Sequence, residues 1–174
     1  MTLTAITMKS IYESSFISIK YDEKINLLEA TWLENTKNMN ESQFKSEFLS
    51  YVSFANECAY KKVLINETQF HFNRELHIQQ WVSSMVHIKL LKKYENAKMA
   101  IVYRNEEIQQ ITVKKMVKEM QLSDITTLYF ESKQDAQSWL LEGSIIPSNR
   151  KVFLFLNNEF ADYSDQVEKK IVSI

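Results

Sequence analysis

One glycine and one proline are the only residues of their kind among 174, where average usage would supply roughly 12 and 9. Backbone positions that need positive φ must therefore fall largely to asparagine, the next most tolerant residue, and the chain has 12 of them. A lone Gly143 cannot build a G-x-G-x-x-G turn, a Walker A loop or a G-x-S-x-G elbow, because each needs at least two glycines. Those dinucleotide, phosphate-loop and hydrolase chemistries are excluded. The scarcity also fits a mutational bias: lysine outnumbers arginine 18 to 3, isoleucine and asparagine are abundant, and alanine is sparse, as an AT-rich genome would produce.

A single cysteine, Cys58, rules out a disulfide framework and a Cys-based zinc ribbon, and makes the cytoplasm the expected compartment. No run of 18 apolar residues occurs, so no membrane-spanning segment is expected. The first ten residues lack a basic region followed by an apolar one, so no secretory signal is expected either.

Charge is distributed in thirds. Residues 1–60 hold 5 basic and 8 acidic groups, 61–120 hold 11 and 6, and 121–174 hold 5 and 8. The basic middle includes Lys89, Lys92, Lys93, Lys98, Arg104, Lys114, Lys115 and Lys118. With a net charge of −1 for the whole chain, it does not read as a nucleic-acid surface. A solvated helix face explains most of these lysines.

Hydrophobic period places the elements. Residues 16–21 alternate as a strand, residues 22–24 form a turn, and residues 25–32 make a second β-rich run, which together predict a hairpin. Asn40 and Gln43 read as a capping box with Met39 as a hydrophobic staple. Phe44, Phe48, Tyr51, Val52 and Ala55 then share one helical face. Buried strands are expected at 62–66 and 98–103, and a further strand at 126–130. The longest helix is expected at 74–94 and another at 108–120. Ser132 and Asp135 cap a last helix bearing Ala136, Trp139, Leu140 and Leu141. Gly143 and Pro147 bracket a break, after which 151–156 (KVFLFL) is intensely apolar. The pattern predicts an α/β domain over 1–141 with a mixed sheet flanked by helices. It adds a 142–174 extension carrying an extra C-terminal strand. That strand pairs with the main sheet or with a second subunit, giving a homodimer through 151–156.

The segments Ala30-Thr31-Trp32, residues 40–47 (NESQFKSE), Val63-Leu64-Ile65-Asn66, Gln80-Trp81-Val82, residues 98–102 (KMAIV), Tyr129-Phe130-Glu131 and Ala136-Gln137-Ser138-Trp139-Leu140 carry a resemblance. Over about residues 12–141 the chain resembles the short stand-alone SpoIIAA-like bacterial proteins of the STAS type. That resemblance implies a mixed sheet backed by helices on one or both faces. It also implies one of three roles: anti-sigma-factor antagonism through a phosphorylated residue, binding of an apolar or lipid ligand, or protein–protein interaction. The phospho-regulated members carry Asp-x-Ser where the third strand meets the next helix. Here Asn66 stands at the aspartate position and Thr68 at the acceptor position.

Candidate chemistry is sparse. His71, His77 and His87 are the only histidines, and with Glu75 they show no HExxH or HxxxH spacing, so no metal and no cofactor are expected. Cys58 reads as a helix-end hydrophobe, and Glu106 and Glu107 as helix N-terminal acids. Trp32, Trp81 and Trp139 read as core. The chain is therefore expected not to be an enzyme but a SpoIIAA-like binding or interaction protein. Its partner is an unidentified protein or an apolar small molecule; the alternative is an anti-sigma-factor-antagonist-like regulator. Ligands of parallel α/β sheets sit outside the carboxyl ends of the strands. That rule selects Asn66, Thr68, Phe70, Phe72 and Arg104 as the expected pocket, and the resemblance implies Thr68 as the candidate phospho-acceptor.

Overall fold

A computed structural model describes residues 7–94, 97–103, 126–142 and 153–155. Seven strands form one sheet in chain order: β1 (Lys9–Glu13), β2 (Ile17–Asp22), β3 (Leu27–Trp32), β4 (Lys62–Asn66), β5 (Lys98–Val102), β6 (Thr126–Phe130) and β7 (Phe153–Phe155). Strand β2 runs antiparallel to both of its neighbours, β1 and β3, strands β3 to β6 are mutually parallel, and β7 returns antiparallel to β6. The described helices are α1 (Glu41–Glu57), α2 (Leu76–Lys89), the short α3 (Leu91–Tyr94) and α4 (Lys133–Glu142). None of them is long and apolar enough to cross a membrane. The mixed sheet flanked by helices is as the hydrophobic period predicts. The apolar run around Phe153–Phe155 pairs within the same sheet.

Strand alternation sends apolar side chains to both faces of the sheet, and each face has its own core. On one, Leu28, Ala30, Trp32, Val63, Met99 and Ile101 pack with Phe44, Phe48, Tyr51, Val52 and Ala55 of α1 and Ile78, Val82 and Val86 of α2. On the other, Leu27, Leu64, Ala100, Val102 and Phe130 pack with Ala136, Trp139 and Leu140 of α4. A sheet covered on both faces accounts for the continuous apolar character of β4 and β5.

The α1 face matches the expected set residue for residue. Its capping box is formed: the Gln43 backbone N–H donates to Asn40 Oδ1, and the Asn40 N–H donates to Gln43 Oε1, both at 2.9 Å. At the far end, the Lys93 ammonium donates to the carbonyls of Ala55 (3.1 Å), Cys58 (2.7 Å) and Asn56. A cation there satisfies carbonyls with no intrahelical partner and complements the helix dipole. Lys93 is thus a cap on a neighbouring helix and not a solvated lysine.

Four expectations need correction. Strand β1 lies outside the predicted order, because its short, mostly exposed edge sequence carries little apolar period. The second β-rich run begins at Leu27, not at 25, because Asp22 Oδ1 accepts the N–H groups of Lys24 (2.9 Å) and Ile25 (3.4 Å) and holds them in a turn. The helix expected at 74–94 starts at Leu76 and is interrupted at Leu90 (φ −122°, ψ −11°). Leu90 is fully buried there, and the bend brings Lys93 to the end of α1. The longest described helix is α1, with 17 residues. The helix expected at 108–120, Glu106 and Glu107, and the break at Gly143 and Pro147 lie outside the described residues.

Asn26 is the only non-glycine residue at positive φ among those described (φ 53°). Its carbonyl accepts the N–H groups of Lys61 (2.9 Å) and Lys62 (3.0 Å), so this turn also anchors the start of β4. Asn26→Val is expected to cost about 1–2 kcal/mol or more, from the Cβ clash of a branched residue in the left-handed region. Asn26→Gly is expected to stay within about 0.5 kcal/mol of the parent. Urea midpoints at unchanged slope would show both.

Candidate functional site

The carboxyl end of β4 leads into a loop braced both by bonds within itself and by bonds to β5 and to the segment before α1. Asn66 Oδ1 accepts from the Thr68 N–H (3.1 Å) and from its Oγ1 hydroxyl (2.8 Å), the self-closing turn that asparagine favours. The Glu67 N–H donates to the Val102 carbonyl at 2.7 Å, which ties the loop to the end of β5, and the Phe70 N–H donates to Glu67 O at 3.1 Å. Thr36, fully buried before α1, donates its hydroxyl to Leu33 O (2.8 Å) and accepts the His71 N–H (2.9 Å).

A buried ion pair lies at the centre. Arg74 Nη2 meets Glu67 Oε2 at 2.7 Å and Nη1 meets Oε1 at 3.0 Å, with side-chain exposures of only 7% and 9%. The guanidinium also lies over the Phe70 ring, 4.6 Å from its centroid, a cation–π contact strengthened by exclusion of water. Gln79 Nε2 donates to the Arg74 carbonyl at 2.7 Å, linking the pair to the first turn of α2. Beneath, Phe44 stacks on Phe72 (4.9 Å) and Trp32 (5.5 Å), and Phe70 meets the edge of Trp32 (5.3 Å).

The expected pocket residues therefore fall as follows. Asn66, Thr68, Phe70 and Phe72 come together in this one loop. Asn66 is a buried brace and Thr68 is half-buried beside it. Phe70 is 2% exposed within the aromatic layer, and Phe72 packs half-buried on its rim. Arg104 lies outside the described residues. The expected core tryptophans Trp32 and Trp139 are buried, while Trp81 packs half-buried against Phe48.

Arg74 and Glu67 are the residues that sequence reasoning missed. Two charges 7 apart in sequence read as ordinary surface groups. The available signal was composition: in a chain that otherwise uses lysine, an arginine marks a place needing a planar, two-pronged donor. Among the histidines, His77 sits between Glu41 (3.0 Å) and Glu75 (3.6 Å) on the surface. No group of three or more His, Cys, Asp or Glu among the described residues could hold a metal ion.

Tyr103 follows β5 at the same edge, its N–H donating to Phe130 O at 3.1 Å. Burial first, and then the charge of Glu131, push its phenol up to about 12. Burial also raises Tyr60, with smaller contributions from Tyr51 and Cys58. Comparison with protein-family models, with curated proteins and with solved structures gives no match.

Removing one partner of a buried ion pair leaves an uncompensated charge and costs about 3–5 kcal/mol, whereas replacing both by apolar groups is close to neutral. Arg74→Met and Glu67→Leu are each expected to lose stability on that scale. The double variant should recover most of it, giving a large coupling in a double-mutant cycle; additive losses would show that the pair does not act as a unit. The tyrosines fix an alkaline prediction. A phenol whose folded pKa is raised contributes stability in full below the unfolded value near 10, and that contribution is lost as pH rises towards about 12. Chemical denaturation across that window should show falling stability, with a shallower slope in Tyr103→Phe.

Proposed function

We propose that this chain is a non-enzymatic SpoIIAA-like, STAS-type binding and interaction module, and that loop 66–74 is the surface through which it binds. The observation that carries this reading is the Glu67–Arg74 pair, in which both carboxylate oxygens are engaged by both guanidinium prongs. A carboxylate with both oxygens engaged in that way is a structural brace. Asn66 and Thr68 are likewise engaged with each other. Such bonding preorganises a loop, which lowers the entropy cost of binding. The mixed sheet with helices on both faces supports the STAS-type assignment at the level of architecture.

The proposed ligand is apolar. Phe72, the half-buried member of the aromatic layer, is the ring that a fatty acyl chain would meet first, with Phe70, Phe44 and Trp32 behind it. Thr68 favours the regulatory alternative to a lesser degree. It is half-buried at a turn, and modifying its hydroxyl would break the 2.8 Å bond to Asn66 and add negative charge to a braced loop.

Intact-mass measurement under native conditions, on protein gently isolated from its own cells, tests both readings together. An apolar adduct that is retained by the wild type and lost in Phe72→Ser supports the ligand. A covalent phosphate that is lost in Thr68→Ala supports the regulator. An unmodified, ligand-free mass overturns both, leaving only the protein–protein role.

A further inference from the structure

The outer side of the α1–α2 pair is built differently from the rest of the surface. Glu41 of α1 meets His77 of α2 at 3.0 Å, and the Lys45 ammonium lies over the Trp81 ring, 5.4 Å from its centroid. These two contacts align the helices side by side, running in the same direction, and identify the ridges that border the seam. One turn beyond Lys45 on its ridge comes Leu49, 46% exposed; along the other ridge, after Trp81, come half-buried Met85 and Ile88, 64% exposed. Residues 81, 85 and 88 fall within about 60° of one another around α2. Two of the three large apolar side chains that are exposed among the described residues therefore lie on this one seam.

Charge along the seam is polarised. Glu41 and Glu75 mark the N-terminal end, where Glu41 meets Lys45 at 2.6 Å and His77 at 3.0 Å and Glu75 lies 3.6 Å from His77, so that two carboxylates stand against one lysine. Exposed Lys89 and Lys92 mark the C-terminal end, and Lys93 is committed to the carbonyls of α1. Glu57, at the end of α1, is about a third of a turn away from the Lys45–Leu49 ridge.

A stripe that is apolar in the middle, acidic at one end and basic at the other is complementary to itself after a two-fold rotation, which is what an isologous contact requires. We infer that the α1–α2 seam is a self-association surface and that its occupant is a second copy of this chain, laid antiparallel across it. Leu49, Trp81, Met85 and Ile88 of each copy form the centre, and Glu41 and Glu75 of one face Lys89 and Lys92 of the other. The antiparallel arrangement also opposes the helix dipoles. The 14 residues of α2 give the seam a length of about 21 Å. Across two helices of roughly 10 Å diameter, that is a small face by the standard of specific interfaces. The dimer is therefore a reversible one, set by concentration.

Sedimentation velocity over a concentration series on the full chain tests this. The wild type is expected to pass from monomer to dimer. Ile88→Glu should weaken dimerisation about tenfold or more, as truncating a central contact does. Leu76→Glu, at an exposed site on the other side of α2, should leave it unchanged. Lys89→Glu with Lys92→Glu should dissociate the dimer, as should Glu41→Lys with Glu75→Lys, and mixing the two variants should restore a heterodimer. Circular dichroism confirms that each variant is folded. A wild type that stays monomeric up to its solubility limit overturns the inference. So does a dimer indifferent to Ile88→Glu, or one dissociated equally by Leu76→Glu.

Discussion

Glu67 and Arg74 leave water together, and the geometry around them follows from the cost of doing so. Neither charge could be buried alone; each would lose several kcal/mol of hydration with nothing in return. The fork of Arg74 repays that cost only if the loop between them closes to one shape, because two parallel bonds fix both distance and orientation. Closing the loop places Phe70 under the guanidinium and packs it into the aromatic layer with Trp32, Phe44 and Phe72. It also delays the start of α2 until Leu76. The ion pair need not add net stability to have this effect. It selects one loop conformation among many, which is what a recognition surface requires.

The legibility of the sequence varied with the range of the interaction. Helix α1 was readable in its buried face and its cap, since both depend on side chains within a turn or two of one another. Strands β4 and β5 were equally plain, because a sheet covered on both faces leaves continuous apolar runs. What could not be read was set by partners far apart in the chain. Lys93 caps α1 from more than thirty residues away, so its own helix period says only that it is polar. The bend at Leu90 is favourable because it buries that side chain and delivers Lys93, neither of which is encoded locally. Edge strand β1 is held by its ladder to β2, and its side chains give no periodic signal. Of the site, four expected residues do share one loop, but its central pair had no motif to announce it.

The near-absence of glycine takes on a specific meaning at Asn26. A chain with one glycine still needs positive φ somewhere, and here the need falls between β2 and β3. Asparagine meets it with a side chain that tolerates the left-handed region. The same position then receives the N–H groups of Lys61 and Lys62, so the hairpin turn and the entry to the parallel part of the sheet are one piece of structure. The lysine bias acts in the opposite direction. It makes each remaining arginine informative, and Arg74 sits where an ammonium could not supply two prongs.

Helix α2 shows how these devices combine. Its buried face carries two polar atoms without a hydrogen-bond partner, Gln79 Oε1 and Ser83 Oγ, one turn apart on a helix otherwise packed through Ile78, Val82 and Val86. Each unsatisfied group costs about 1–3 kcal/mol, enough to matter against the few kcal/mol by which a domain is stable. The helix is retained because both of its ends are anchored elsewhere. Arg74 and Glu67 hold the approach to its first turn through Gln79 Nε2, and Leu90 with Lys93 ties the exit to the core and to α1. Side-by-side contact with α1 through Lys45, Phe48 and Trp81 leaves its outer ridge exposed. The tolerance of α2 for polar groups inside and apolar groups outside thus has one origin. Its position is set by its ends, which frees the residues between them to serve something other than the core.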